Sequence, residues 1–116
     1  MITFEVPYPP SANRYWRMYN NRMVISSEAK QYMYLVDSIV PKSFRFDPLD
    51  GIKVVSAMYP PDNRKRDLDN ALKVLLDSFE RAGVYKNDSQ IKEIHATMMP
   101  VLKPGKVVVT FERIEE

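Results

Sequence analysis

Arg64-Lys65-Arg66-Asp67-Leu68-Asp69-Asn70-Ala71-Leu72-Lys73-Val74-Leu75-Leu76-Asp77-Ser78-Phe79-Glu80-Arg81-Ala82-Gly83 is the stretch around which the rest of the chain is organised. Leu68, Ala71, Leu72, Leu75, Phe79 and Ala82 recur at the spacing of one helical face, and Gly83 suits the position just past a helix end, where a left-handed backbone is common. The spacing predicts a helix that starts at Leu68, with Asp67 as its N-cap. Asp69 and Lys73 then lie next to one another on the border of the apolar face, with Glu80 one to two turns further along. Val74 falls off that face and points to a second contact surface, such as a dimer interface.

Upstream, Ile52 to Tyr59 reads as a strand that ends before Pro60-Pro61-Asp62-Asn63, so the basic triplet Arg64-Lys65-Arg66 hangs beyond a strand end. Asp47-Pro48-Leu49-Asp50-Gly51 is a turn signal. Before it, a helix is expected to open at Ser26 or Ser27, where a hydroxyl caps free amides and Glu28 favours the dipole. Ala29, Tyr32, Met33, Val36 and Val40 would face a sheet, and Pro41 marks the stop. Ile2 to Val6 is a short strand closed by Pro7, Pro9 and Pro10. Ser11 to Arg17 lacks periodicity and reads as a loop, and Arg22 to Ile25 as a small strand. Downstream, Val84 to Ser89 reads as a turn, followed by strands at Ile91 to Met99 and Lys106 to Ile114 joined around Lys103-Pro104-Gly105. The expected class is α/β in the mixed α+β sense: one small domain over residues 1–116, a mixed sheet with two main helices packed on it.

With 116 residues, 45% hydrophobic and 28% charged, the chain suits one globular domain rather than a disordered tail. No apolar run approaches the ~20 residues that span a bilayer, and the N-terminus lacks the layout of a signal peptide. A cytoplasmic protein with no membrane partner is the expectation. The absence of cysteine removes disulfides, thiolate nucleophiles and zinc-thiolate sites, and leaves open an oxygen site for a hard cation. A net charge of +2 is weak grounds for a nucleic-acid partner, but its distribution says more. Positive charge gathers at Arg14/Arg17/Arg22 and Arg64/Lys65/Arg66, while Glu112, Glu115 and Glu116 make the C-terminus acidic.

Two carboxylates beside three cations suggest metal-assisted phosphodiester chemistry, because acids hold a divalent cation while Arg and Lys attract the polyanion that acids alone repel. Each residue also has a structural explanation. Asp67 and Asp69 can bond free amides at the helix start, Asp69 and Lys73 can form a surface ion pair, and Asp88 in Lys86-Asn87-Asp88-Ser89 can be a turn residue. The triplet can be a solvated charge run. Arg14, Tyr15, Trp16 and Arg17 interleave cations with rings, which suits phosphate contact and stacking on unpaired bases, or else core packing of the rings. His95, the sole histidine, reads as a surface or packing residue, and the seven methionines as core or interface filler.

Taken in order, Arg66-Asp67-Leu68-Asp69-Asn70, Lys73, Ala82-Gly83-Val84-Tyr85 and Asp88 resemble the RusA family of Holliday junction resolvases, endonucleases of four-way DNA junctions. Pro9-Pro10-Ser11-Ala12-Asn13-Arg14-Tyr15 looks like that family's opening motif, and Ser26-Ser27-Glu28 sits where its first helix begins. The resemblance spans nearly the whole chain. It implies that Asp67, Asp69 and Asp88 bind metal and that Lys73 is the essential cation of the active site. It further implies Mg²⁺ as cofactor with Mn²⁺ as a substitute, a homodimer, and paired nicking of opposed strands in DNA recombination and repair. A twofold substrate cut twice is well matched by a twofold protein. Arg64, Lys65 and Arg66 would hold phosphate, Arg66 foremost, with Arg14, Tyr15 and Arg17 as further DNA contacts. Two other readings stand beside this one: a DNA-binding protein without catalysis, and a nuclease for flaps or replication forks.

Overall fold

The computed structural model describes residues 1–11 and 16–115. In chain order the elements are β1 (Ile2–Val6), β2 (Trp16–Tyr19), β3 (Arg22–Ile25), α1 (Ser27–Ile39), β4 (Ile52–Tyr59), α2 (Leu68–Arg81), a single 3₁₀ turn (Asp88–Gln90), β5 (Ile91–Met98) and β6 (Lys106–Arg113). Four strands form one mixed sheet in the order β1-β6-β4-β5, and β2 and β3 form a separate hairpin. Both main helices were expected, as was the mixed α+β class.

The sheet owes its mixed character to the route taken after α2. β4 leads into α2, and the chain returns to lay β5 parallel to β4, with Val54 opposite Ile94 and Met58 opposite Met98. This strand-helix-strand crossover is the unit that a parallel pair requires. β6 then crosses to the other side of β4 and pairs antiparallel with both β4 and β1. The two last strands, adjacent in sequence around Lys103-Pro104-Gly105, are therefore not neighbours in the sheet.

Alternation along the strands assigns the faces. Ile52, Val54 and Met58 of β4, Val107, Val109 and Phe111 of β6, and Phe4 and Val6 of β1 are buried. Onto that face α1 delivers Ala29, Tyr32 and Val36, and α2 delivers Ala71, Val74, Leu75 and Phe79. Phe79 packs against both Phe4 and Phe111, with ring centroids 5.2 and 5.1 Å away. Val74, expected on a second contact surface, is instead almost fully buried within the protomer. The core stripe of α2 is broad enough to include it because β5 and the turn before it wrap one flank of the helix.

Local signals account for the element ends. The Ser26 hydroxyl accepts the Ala29 amide at 3.1 Å, which caps α1. Gly83 has φ +89° at the end of α2, a left-handed backbone that selects glycine, and the Arg45 guanidinium donates to its carbonyl at 3.1 Å. The loop expected through Arg17 is cut short, since Trp16 and Arg17 open β2. The overlooked signal is Asn20-Asn21, whose φ values of 51° and 62° fit a two-residue hairpin turn. Arg14, Tyr15 and Asn13 lie outside the described residues, as does the side chain of Arg17. Among the described residues no helix is long and apolar enough to cross a membrane.

Candidate active site

The two acids at the start of α2 are used differently, Asp69 bonding a free first-turn amide and Asp67 not. Asp67 occupies the N-cap position, and its carbonyl accepts the Ala71 amide at 3.2 Å, but its side chain makes no capping bond. The carboxylate instead accepts the side-chain amide of Asn70 at 3.2 Å. The Asp69 carboxylate accepts the backbone N–H of the same Asn70 at 3.0 Å. The Asn70 side chain thus tethers Asp67, while Asp69 bonds a first-turn backbone N–H, and side-chain capping, the structural explanation open to Asp67, does not hold.

Two clefts meet at Asn70. On one side lies a basic cleft of about 620 Å³ walled by Tyr8, Pro10, Lys65, Arg66, Asp67 and Asn70. On the other lies an acidic cleft of about 540 Å³ between α2 and β5, where Lys73, Asp77 and Glu80 line one wall and Asp88 lines the other, over Val74 and Tyr85. Lys73 and Asp88 therefore share a cavity. Asp67 opens onto the neighbouring one, and Asp69 lines neither. The expected Asp69–Lys73 ion pair is not formed, and among the described residues Lys73 carries no ion pair.

The acidic cleft is electrostatically tense. Burial raises the pKa of Glu80, and the charges of Asp88 and Asp77 raise it further, with relief from Arg81 and from the Asp88 backbone N–H that Glu80 accepts. The Tyr85 hydroxyl is pushed far up by burial, and it donates to the Leu76 carbonyl. A cation brought here would be favoured by the excess of acids over the single lysine.

Asp88 is positioned by Gln90, a residue passed over in the sequence. The buried Gln90 side chain accepts the Lys86 and Asn87 amides, both at 3.0 Å. Its own amide donates to the Asp47 and Asp50 carbonyls at 3.0 and 3.1 Å. The turn before β4 is thereby stitched to the turn that carries Asp88. The only sequence signal was the Asn87–Gln90 spacing of a capping box, which is present here.

The basic triplet is structured. Asp62 Oδ1 pairs with Arg66 at 2.7 Å, and Arg66 also donates to the Asp62 carbonyl at 3.1 Å. The guanidinium is held over the Tyr8 ring, 5.5 Å from its centroid. Bonding to Arg66, aided by the Arg64 backbone N–H, lowers the Asp62 pKa from 3.8 to about 2. Arg64, its side chain 76% exposed, makes a longer 3.7 Å ion pair with the other oxygen of Asp62, and Lys65 flanks the fixed pair from the next position. His95 sits on the sheet surface, 2.7 Å from Glu93 and away from both clefts.

Among the described residues no three His, Asp or Glu side chains are drawn together tightly enough to enclose one metal ion. What surrounds Asn70 and Lys73 is an open set of carboxylate oxygens, the donor type that a hard cation takes. Mg²⁺ typically keeps several waters and uses one or two carboxylates plus substrate phosphate, so an open set fits its chemistry better than a closed cage.

Comparison with known proteins bears on this arrangement. Residues 7–112 match the family model described as Endodeoxyribonuclease RusA. A crossover junction endodeoxyribonuclease RusA of Shigella sonnei (strain Ss046) is 35% identical over 113 residues, covering 95% of this chain and 94% of that protein. The crossover junction endodeoxyribonuclease of Enterobacteria phage 82 is 36% identical over the same shares of both chains. That of Escherichia coli (strain K12) is 34% identical, again over 95% and 94%.

Proposed function

The chain belongs to the RusA family of endodeoxyribonucleases, and from that premise we propose that it hydrolyses phosphodiesters at four-way DNA junctions, nicking opposed strands during recombination and repair. The observation that carries the reading is the join at Asn70, where the cleft lined by Asp67, its carboxylate not engaged in capping, adjoins the cavity shared by Lys73 and Asp88. Cations at the mouth and acids within suit a phosphate that is first captured and then attacked.

Each residue has a part. Lys65 and Arg66 draw the strand into the basic cleft, Arg66 as a fixed planar donor and Lys65 as a mobile point charge. Lys73, which has no ion partner among the described residues, is available to the scissile phosphate and to the negative charge that builds on it. Asn70 holds the Asp67 and Asp69 carboxylates in place, and Gln90 fixes the turn of Asp88. Asp67, Asp69 and Asp88 are the oxygens proposed to hold Mg²⁺, or Mn²⁺ in its stead. When bound, the ion lowers the pKa of a water and neutralises charge on the phosphoryl group. A homodimer carrying two such sites would match the twofold symmetry of a junction nicked twice.

Substitution of Asp69→Asn tests the assignment. Retained binding of a synthetic four-way junction with loss of cutting is expected, whereas undiminished cutting by the folded variant removes Asp69 from the site. Cutting of linear duplex or of forks at the same rate as junctions would refute the junction preference.

A further inference from the structure

Beyond the two clefts at Asn70, a third hollow of about 530 Å³ lies between the Pro7-to-Ser11 segment, α1 and the basic triplet. It shares Tyr8, Pro9, Pro10, Ser11, Lys65 and Arg66 with the basic cleft, so the two hollows adjoin, with the Tyr8–Arg66 pair as a partition on their common border. We propose that this hollow receives one unpaired nucleobase of the strand being cut, the base stacking against the Tyr8–Arg66 partition while its phosphates stay with the triplet. The proposal rests on the reading of the chain as a junction nuclease.

The walls have the chemistry of a stacking site. Tyr8, Leu35, Pro61 and Pro104 present ring and aliphatic surface, and Tyr32 beneath them has spent its hydroxyl on the Pro7 carbonyl at 2.7 Å. Among the described residues that line it, the cations are Arg64, Lys65 and Arg66. On the α1 wall, Glu28 and Gln31 supply hydrogen-bonding groups suited to a base edge. A carboxylate there repels phosphate, so the anionic part of a nucleotide is directed to the triplet and the base to the apolar wall.

The partition is preorganised. Asp62 holds the Arg66 guanidinium by a 2.7 Å ion pair and by its carbonyl, which accepts from Arg66 at 3.1 Å, leaving a flat cation fixed over the Tyr8 ring. From behind, Gly105, with φ +96°, lies so close that an added Cβ would be 3.0 Å from Pro61 and 3.1 Å from the Tyr8 Cβ. Arg66 covers one face of the Tyr8 ring and Gly105 approaches only its Cβ, so the ring is oriented without either contact covering its other face, and little side-chain freedom is lost when a ligand binds. A paired base has its faces covered by its neighbours in the duplex and cannot reach this ring. A base unstacked at a junction centre can, and stacking of this kind is tolerant of sequence.

The test is a double-mutant cycle between protein and DNA. Affinities are measured without divalent cation for four-way junctions carrying one abasic site at successive positions near the centre, with wild-type protein, Tyr8→Leu and Tyr8→Phe. An abasic site at one position on the cut strand is expected to weaken wild-type and Tyr8→Phe binding by roughly 5- to 150-fold, the range for one base stacked on an aromatic ring, and to leave Tyr8→Leu nearly unchanged. Effects that multiply at every position, or no position weakening wild type by twofold, overturn the base site. Should Tyr8→Leu fail to fold, Leu35→Glu replaces it: Leu35 is exposed on α1, and a carboxylate there blocks the hollow and should abolish the same positional dependence. Wild-type cutting of the intact junction, assayed in parallel with Mg²⁺, separates the two readings. Junctions cut without the coupling defeat the base site alone, and junctions neither bound nor cut defeat both.

Discussion

Replacing Gln90 by leucine removes four hydrogen bonds at once without removing much volume. At a net contribution of about 1 kcal/mol each, the four bonds sum to about 4 kcal/mol, and leucine leaves two amides and two carbonyls in a part-buried place without their partner. For a chain of this length that corresponds to a fall in Tm of ~15 °C, a large share of the stability of a small domain. Urea and thermal unfolding of wild type, Gln90→Leu and Gln90→Glu measure it. The glutamate keeps acceptors for the Lys86 and Asn87 amides but cannot, when ionised, donate to the Asp47 and Asp50 carbonyls, so it should fall between the other two. Because the same bonds aim Asp88, the leucine variant should also cut junctions roughly 10²-fold more slowly, under conditions where it remains folded, with junction affinity little changed. A loss of stability below about 1 kcal/mol would mean that water replaces the side chain and that Gln90 is not what holds the turn. Full cutting by a clearly destabilised variant would sever Gln90 from the site.

Two further substitutions test particular contacts. The Asp62 pKa is depressed in the folded state, from 3.8 to about 2, so its contribution to stability is present above the unfolded value and is lost as pH falls through the folded one. The stability gap between wild type and Asp62→Asn, read from urea midpoints, should therefore be full at pH 5 and shrink steadily toward pH 2, and a gap independent of pH would mean the Arg66 pairing is not made in solution. Ser56 faces the core from β4 with its hydroxyl buried and without a hydrogen-bond partner among the described residues. Ser56→Ala should raise stability by about 1–2 kcal/mol in the same assay, and destabilisation would reveal a partner for that hydroxyl.

The parts legible in the sequence are those whose causes are local. Apolar spacing along α2, the glycine that ends it, the Ser26 cap and the alternation of β4 each arise from residues within a few positions of one another, and each predicts its element closely. The β2–β3 hairpin was lost because its turn is written in Asn20-Asn21, where asparagine stands in for the more telling glycine. Order in the sheet was hidden for another reason. Nothing in β5 or β6 announces that β4 separates them, since the pairing depends on which edge α2 leaves open.

The site divides along the same line. Asp67, Asp69, Lys73 and Asp88 stand out as residue types in a pattern, but their relation does not, because it is made by side chains that carry no charge and no chemistry of their own. Asn70 reads as one more polar helix residue until its two bonds to flanking acids are seen. Gln90 joins segments 40 and 43 residues apart. Asp62, which the sequence places only beyond the end of a strand, is what turns Arg66 from a mobile cation into a fixed plate over Tyr8. Charged residues at such a surface are individually replaceable as counter-ions to DNA, whereas the one side-chain amide that holds Asp67 is not. Removing the Asn70 side chain should therefore disturb the Asp67 carboxylate more than removing any one cation of the triplet disturbs the capture of phosphate, while the backbone bond to Asp69 stays in place. On that argument the precision of the site resides in Asn70 and Gln90, and its charge in the residues they hold.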